Sequence, residues 1–487
     1  MTFTLNDFLA LLPEAILATM ALVVLLVGLF LRVEQRRWLA WLSLLSVAGA
    51  LVATLTGPTS TEPMVQGMLR VDALAKFLNV VFLLGGGFTL MLSADYLERQ
   101  GAASGEYYAL ILFATLGAML MGSGADLLMI FLGLETLSIP LYILSSFFRH
   151  QTASQEAGFK YFLLGSFSSA LLLYGVALVY GATGTTQLIA LSDAVSGALD
   201  AKPLLLYAGA GLLLVGLGFK SAAVPFHTWA PDVYEGAPTS TTAFMAVAAK
   251  AGAFAAFIRI FADPFVEFAS SWAVLVGVIA ALTMILGNLV ALVQTNLKRL
   301  LAYSSIAHAG YLLIGVAAAQ TPELAADATS GLGFYLLVYT LMTLGAFGVV
   351  MLAEGRGENL SLEDVAGFAW RAPGLGTVMA IFMISLAGLP PTAGFFGKFY
   401  IFQAAIQADL LWLAIIGVVT SVVSVYYYLR VVYTMVMRPP TTDRPAFHSR
   451  LAWVGLTIMA IGILLLGIYP TLAYGWLGQL ATIAAAP

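Results

Sequence analysis

Apolar stretches long enough to cross a lipid bilayer recur along almost the whole chain, parted by short polar connections. A spanning helix needs roughly 20 mostly apolar residues, because the hydrocarbon core is about 30 Å thick and each helical residue rises about 1.5 Å. Windows of that size place such segments at 9–31, 38–56, 73–94, 107–122, 126–147, 160–181, 204–224, 240–262, 271–293, 299–319, 331–353, 375–397, 409–437 and 451–477. The pattern predicts an all-α polytopic membrane protein with about fourteen transmembrane helices. Only Gly122, Gly124 and Asp126 part the fourth segment from the fifth, so thirteen is the competing count. The first segment has neither a basic leading region nor a small-residue cleavage site, and reads as a retained helix.

Lysine and arginine test that count, because cytoplasmic connections are enriched in them. The connections after odd-numbered helices hold twelve: Arg32, Arg36, Arg37, Arg99, Arg149, Lys298, Arg299, Arg356, Arg371, Arg438, Arg444 and Arg450. Those after even-numbered helices hold two, Arg70 and Lys202. A span missed or invented in mid-chain would blur this bias, so it supports fourteen helices with both termini on the non-cytoplasmic side.

Composition fits a lipid environment. Of 487 residues 61% are hydrophobic and 9% charged, with a mean hydropathy of +0.96, whereas a soluble chain carries about 25% charged residues. A net charge of -4, not gathered in any tail, argues against nucleic acid and against a polybasic surface protein. Zero cysteines exclude disulfides and thiolate-held iron–sulfur clusters, and four scattered histidines give little basis for paired haem ligation.

Seven basic residues remain inside or at the ends of spans: Lys76, Lys160, Lys220, Lys250, Arg259, Lys398 and Arg430. An ionisable group at bilayer depth costs at least about 2.5 to 3.5 kcal/mol on insertion scales, so it normally faces the bundle interior and marks an ion or proton path. Arg259, Lys76 and Arg430 lie near enough to helix ends to snorkel, and Lys160, which begins its helix, reads as either anchor or conduit. Lys220, Lys250 and Lys398 are harder to assign to anchoring. Glu135 is read as the only carboxylate near mid-membrane.

Glu135 and Lys220 share a context, ETLSIP and KSAAVP, in which a proline follows five residues later. Pro140 and Pro225 lack an N–H for the carbonyls of Thr136 and Ser221, so both charges are expected at weakened turns. The other reading is a pair of ordinary proline kinks with a structural ion pair. Two spans are broken more severely: the seventh, GFKSAAVPFHTWAPDVYEGAPTS, and the twelfth, SLAGLPPTAGFFGKF, with adjacent Pro390 and Pro391. Lying five helices apart, they cross in opposite directions. Helices 4–8 and 9–13 are therefore expected to be two inverted five-helix repeats, an arrangement that in transporters sets broken helices at the substrate site.

His308, in LLAYSSIAHAGYLLIG, is flanked by Ser304, Ser305 and Tyr311; it suits a proton relay or, equally, a packing hydrogen bond. His227 follows Pro225 and either passes protons or caps the break. GFKS lacks the earlier glycine of a phosphate-binding loop, and no dinucleotide fingerprint is present. A row of lysines with one glutamate and one histidine suits protons better than sugars or amino acids.

The stretches FLGLETLSIPLYIL, FKYFLLGSFSSALLLYG, GFKSAAVPFHTWAPDVYEGAPTSTTAF, KRLLAYSSIAHAGYLLIG and LAGLPPTAGFFGKFYIF resemble the antiporter-like membrane subunits of proton-pumping NADH:quinone oxidoreductase, respiratory complex I. The match runs from about 105 to 436, and the LLPEAI opening looks most like the N-type branch of that family. The resemblance implies a three-helix segment over 1–104, a first repeat over 105–262, an inverted second over 263–437 and a C-terminal helix over 438–487. Carried over by position, Glu135 matches the fifth-helix glutamate, Lys220 its seventh-helix partner, Lys250 the connecting lysine of the eighth helix and Lys398 the exit residue of the twelfth. Lys160 and His308 match further positions of the polar axis.

On that resemblance the chain is a subunit of a proton-translocating enzyme, with no redox or nucleotide site of its own. NADH, FMN, iron–sulfur clusters and quinone are expected in partner subunits. Expected partners are M-like and K-like membrane neighbours, the peripheral arm and lipid, but no nucleic acid. The expected location is an energy-transducing membrane, the bacterial inner membrane. M-type relatives usually carry glutamate where Lys398 stands, and L-type ones continue into a long lateral helix. Subunits of multisubunit cation/proton antiporters share the core and form the alternative reading; a purely structural scaffold with dispensable charges is a third.

Overall fold

The structure, a computed structural model, describes residues 4–32, 35–60, 62–355, 359–441 and 447–484; Arg356 and Arg444 of the charge-bias argument lie outside the described residues. Three helices open the chain: α1 (Leu5–Phe30), α2 (Arg37–Thr56) and α3 (Ala73–Gln100). Next come α4 (Gly105–Ser123), α5 (Leu127–Ser145), α6 (Thr152–Thr183), a short α7 (Leu188–Ala201), α8 (Pro203–Ser221), α9 (Trp229–Gly236) and α10 (Thr239–Phe261). A 3-10 turn, Pro264–Phe268, leads into α11 (Ala269–Val293), followed by α12 (Leu297–Ala318), α13 (Pro322–Ala353), one-turn α14 (Phe368–Arg371), α15 (Pro373–Ala387), α16 (Ala393–Gln407) and α17 (Leu411–Met437). The chain closes with α18 (Arg450–Ile468) and α19 (Thr471–Ala484).

Among the described residues thirteen helices are long and apolar enough to cross a membrane. The remaining predicted span, 375–397, is divided between α15 and α16, each 15 residues long. Helices α4 and α5 are distinct, because Asp126 stops the chain from running on: its side chain accepts from Leu128 N and caps α5. Hydrogen bonds between connections fix the parity. At one end Arg36 donates to Ala103 O (3.0 Å) and Arg99 to Met351 O (2.7 Å), joining connections after odd-numbered spans. At the other, Lys76 donates to Gly57 O (2.6 Å) and Arg70 pairs with Asp263 (2.7 Å). Val65 N bonds Asp7 of α1 there (2.7 Å), and Leu477 of α19 lines a cavity with Arg70. Both ends of the described chain therefore lie at the same end of the bundle, opposite the basic end.

The same short device closes the two halves at opposite ends. Leu127 N bonds Thr186 O and Leu188 N bonds Ala125 O, pinning the start of α5 to the chain beyond α6. Equivalently, Leu297 N bonds Leu360 O and Leu362 N bonds Thr295 O, pinning the start of α12 to the chain beyond α13. Asp126 and Asn296 cap the two helices. Close backbone contact recurs too: a Cβ on Gly133 would stand 2.8 Å from Met121 N between α4 and α5, and one on Gly287 2.7 Å from Ala307 N between α11 and α12.

Helix α10 forms the centre, with every residue buried. Its run of Ala, Gly, Ser and Thr lets neighbouring helices approach closely, the packing that serves where lipid is as apolar as leucine. Large apolar residues of α1, α6, α17 and α18 face outward, among them Leu22, Phe167, Val422 and Ile461.

Three sequence expectations are corrected. Pro140 does not break its helix; α5 runs through it from Leu127 to Ser145, since a proline removes one ladder bond and membrane helices tolerate that loss. The C-terminal segment is two helices rather than one, because Pro470 separates α18 from α19. Arg259 does not snorkel: it is buried on α10 and holds Asp72 through two bonds of 2.6 and 2.7 Å.

Candidate functional site

The first buried lysine sits where the seventh span comes apart. Lys220 lies in the last turn of α8, which ends at Ser221 with Ala222 in the left-handed region (φ 59°). Pro225 falls in the loop that follows. The helix C-terminus favours a cation there. Lys220 Nζ donates to Ser138 Oγ (2.7 Å) and Tyr161 OH (3.0 Å) and stands 5.5 Å from the centre of the Tyr142 ring. Tyr161 is held by stacking on Trp229 of α9 (4.5 Å). Glu135, one turn before Ser138 on α5, is half-buried, and its Oε1 has no hydrogen-bond partner among the described residues. It makes no ion pair with Lys220 within 4.0 Å there.

Lys250 occupies the middle of α10 and is 1% exposed. Its ammonium donates to the backbone carbonyl of Ser305 on α12, and Tyr339 OH donates to Ser305 Oγ (2.8 Å). One turn on, His308 is bonded at both ring nitrogens, Nδ1 to Tyr335 OH (2.6 Å) and Nε2 to Tyr428 OH (3.0 Å). Tyr428 also meets Ser304. The Tyr427 ring packs 4.4 Å from Tyr428, and its hydroxyl donates to Asn288 Oδ1 (3.0 Å), whose amide donates to Tyr311 OH (3.1 Å).

Lys398 closes the row at the second break. On α16, it donates to Ala387 O (2.9 Å), the last residue of α15, and to Ser421 Oγ on α17 (2.7 Å), with its ammonium 4.8 Å from the centre of the Tyr311 ring. Gly388 turns the chain there at φ 80°; a Cβ would stand 2.8 Å from Lys398 Cδ. Pro390 and Pro391 fall in the same gap. Lysines, hydroxyls and one histidine thus form a nearly continuous buried strip from Lys250 to Lys398. Among the described residues no direct hydrogen bond joins Lys220 to it.

The NADH:quinone oxidoreductase/Mrp antiporter transmembrane family model matches residues 124–424, the region that carries the whole row. A relative named NADH-quinone oxidoreductase subunit N, from Trichlorobacter lovleyi, is 46% identical over 97% of this chain and 96% of its own. The chain belongs to this family. A solved chain of respiratory complex I from Thermus thermophilus superposes with a TM-score of 0.80 at 36% identity, over 95% of this chain and 98% of that one. A chain of the Mrp complex from Dietzia superposes with a TM-score of 0.84, over 99% and 97% of the two, and at 22% identity shows a shared fold.

Within this family member two further residues chosen from the sequence, Lys160 and His227, lie apart from both the strip and the Lys220 site. Lys160 is partly exposed and pairs with Glu156 (2.6 Å) and Asp232 (2.9 Å); Asp232 also pairs with Arg299 (3.0 Å). His227 lies half-buried in the α8–α9 loop, and its Nδ1 is without a hydrogen-bond partner among the described residues.

Sequence reading missed several groups. Glu14 is buried ten residues into α1, with Asn79 Nδ2 3.4 Å from its Oε1; the depth argument that selected Glu135 selects it as well, so Glu135 is not alone. Lys298, read as a connection residue, is buried on α12 and donates to Ala237 O (2.8 Å). Glu354, Tyr335 and Tyr428 carried no local signal, since they reach the site from distant segments. Among the described residues no cluster of His, Asp and Glu could hold a metal ion.

Proposed function

We propose that the chain is the N-type proton-translocating subunit of the membrane arm of an NADH:quinone oxidoreductase. The observation that carries this reading is the buried strip from Lys250 to Lys398, in which each ammonium is held by neutral carbonyls and hydroxyls. A lysine without a fixed carboxylate partner changes its proton occupancy when a charge nearby moves. That suits coupling to quinone reduction elsewhere in a complex, with cofactors in other subunits. The matched closures of α5 and α12 support two inverted repeats, helices 4–8 and 9–13. Lys220 with Glu135 would then serve the first half, Lys250 and His308 the junction, and Lys398 release.

M-like and K-like subunits and the peripheral arm are the partners this reading requires. Placing the basic end in the cytoplasm sets both termini outside the inner membrane. Full-length identity to subunits N favours this over a cation/proton antiporter, for which the likeness is one of fold. The test is purification from native membrane: recovery with NADH-oxidising and quinone-reducing subunits supports the reading, and recovery with other antiporter subunits overturns it.

A further inference from the structure

At the basic end a cavity of about 70 Å³ opens between the two halves, lined by Tyr96, Gln151, Glu235, Thr239, Lys298 and Glu354, with Asn359 at its wall. A water needs roughly 10–15 Å³ of such volume and two or more polar partners, so the space and its lining suit several waters. Glu354 follows the last residue of α13 and is 2% exposed. Its Oε2 accepts from Thr239 Oγ1 (2.8 Å), beside Tyr96, whose hydroxyl accepts from Thr239 N (3.3 Å). Lys298, on the same cavity, points its ammonium at Ala237 O. No ion pair within 4.0 Å joins it to Glu354 among the described residues, so this carboxylate is buried without a bonded cation. Burial lifts its carboxyl above the usual carboxylate range, against the pull of Lys298 and Arg99.

Residues next along the chain from the cavity lining meet the lysine strip. Tyr234 immediately precedes Glu235, and its hydroxyl lies 3.5 Å from Ser305 Oγ, the residue whose carbonyl holds Lys250. Ser305 lies seven residues, about two turns or roughly 10 Å, from Lys298 on α12. Tyr339 donates to the same Ser305 hydroxyl.

We propose that Glu354 is the proton-loading group of an uptake route that begins in this cavity and reaches Lys250 past Tyr234, Ser305 and Tyr339. It rests on the proton-translocating reading above. The carboxylate takes one proton from cavity water and gives one up towards the hydroxyls of Tyr234 and Ser305, which lie 3.5 Å apart. The hydroxyl of Ser305 accepts that proton on oxygen and releases its own towards the neutral amine of Lys250. Lys298 remains charged and keeps the carboxylate from holding its proton permanently. This places uptake at the seam between the repeats, apart from the break beside Lys220.

Glu354→Gln keeps the shape and can still accept from Thr239, but carries no exchangeable carboxyl proton. In the assembled complex in proteoliposomes, pumping is expected to fall roughly tenfold or more, since a positioned proton-transfer group typically contributes about a hundredfold and water bypasses part of that. Glu354→Asp should recover much of the loss and shift the pH profile of turnover. Pumping by Glu354→Gln equal to the unaltered complex, or equal losses in Gln and Asp variants, overturns the proposal. The chain has no cysteine, which permits an arm independent of Glu354: Asn359→Cys should react with a membrane-impermeant maleimide from the basic side, and the adduct should block pumping. A cysteine that does not react, or an adduct without effect, also overturns it. Lys220→Ala serves as reference. Loss there with normal Glu354→Gln and Asn359→Cys adducts removes the uptake route alone, whereas normal pumping in Lys220→Ala removes the proton-translocating reading.

Discussion

The Lys220 ammonium lies 2.7 Å from the Ser138 hydroxyl, one turn past Glu135 on the same helix, so the lysine holds the hydroxyl and the carboxylate stands apart. A lysine locked to a carboxylate would keep its proton; one held by Ser138 and Tyr161 is free to exchange it when Glu135 gains or loses a partner. On the proposed proton-translocating reading, this separation is what a conducting element needs and a structural ion pair does not.

Lys220→Ala and Glu135→Gln should each sharply reduce proton pumping and coupled quinone reduction while the complex assembles. Ser138→Ala leaves the Tyr161 bond and should reduce pumping less. Native gel electrophoresis checks assembly, because Lys220→Ala leaves the Ser138 and Tyr161 hydroxyls without their buried partner, at a cost of about 1–3 kcal/mol. Equal losses in Ser138→Ala and Lys220→Ala would place the effect in packing rather than in proton exchange.

Hydropathy and lysine placement made the architecture legible, since a span is a local property of some twenty residues. Lys220, Lys250 and Lys398 stood out because charge at that depth is costly wherever the chain goes next. The remainder depended on contacts between distant segments. Arg259 read as a snorkelling residue because its partner Asp72 lies 187 positions away, and Glu354 went unnoticed because its burial comes from α3, α10 and α12. Tyr335 and Tyr428 are ordinary aromatic residues until folding sets them on either side of His308.

Asp72 anchors the end of the bundle away from the basic connections. Burial alone would raise its pKa, but Arg259, bonded through both nitrogens, and Arg70 outweigh burial and hold it below the usual carboxylate range. A depressed carboxyl stabilises the fold above its unfolded value, and the contribution is lost as pH falls through the folded value. Asp72→Asn should therefore lower thermal stability at pH 7, and its difference from the unaltered protein should begin to shrink as pH falls below roughly 4 and vanish once pH is below the still lower folded value. A difference independent of pH in detergent melting curves would contradict the assignment.

His308 and Lys398 should behave differently. His308→Gln keeps one hydrogen bond to a neighbouring tyrosine and should slow proton transfer modestly. Lys398→Ala and Lys398→Arg should impair it alike, because arginine keeps the charge but hardly releases a proton. Should Lys398→Arg pump normally while Lys398→Ala does not, Lys398 is a fixed electrostatic element.

Reporter fusions check orientation. A reporter after Pro487 or between Thr56 and Arg70 should be active only on the non-cytoplasmic side, and one between Arg438 and Arg450 only in the cytoplasm. Opposite sides for the two termini would mean an odd number of crossings.

The most direct measurement is the number of protons pumped per quinone reduced by proteoliposomes holding the assembled complex with both Lys220→Ala and Lys250→Ala. Removing both lysines takes the exchangeable groups from the first break and from the junction of the halves while leaving the redox subunits intact. The number of protons pumped per quinone should fall, together with the rate of coupled quinone reduction, with normal complex abundance. An assembled double variant that pumps as many protons per quinone as the unaltered complex would contradict a proton route through the buried lysines of this chain.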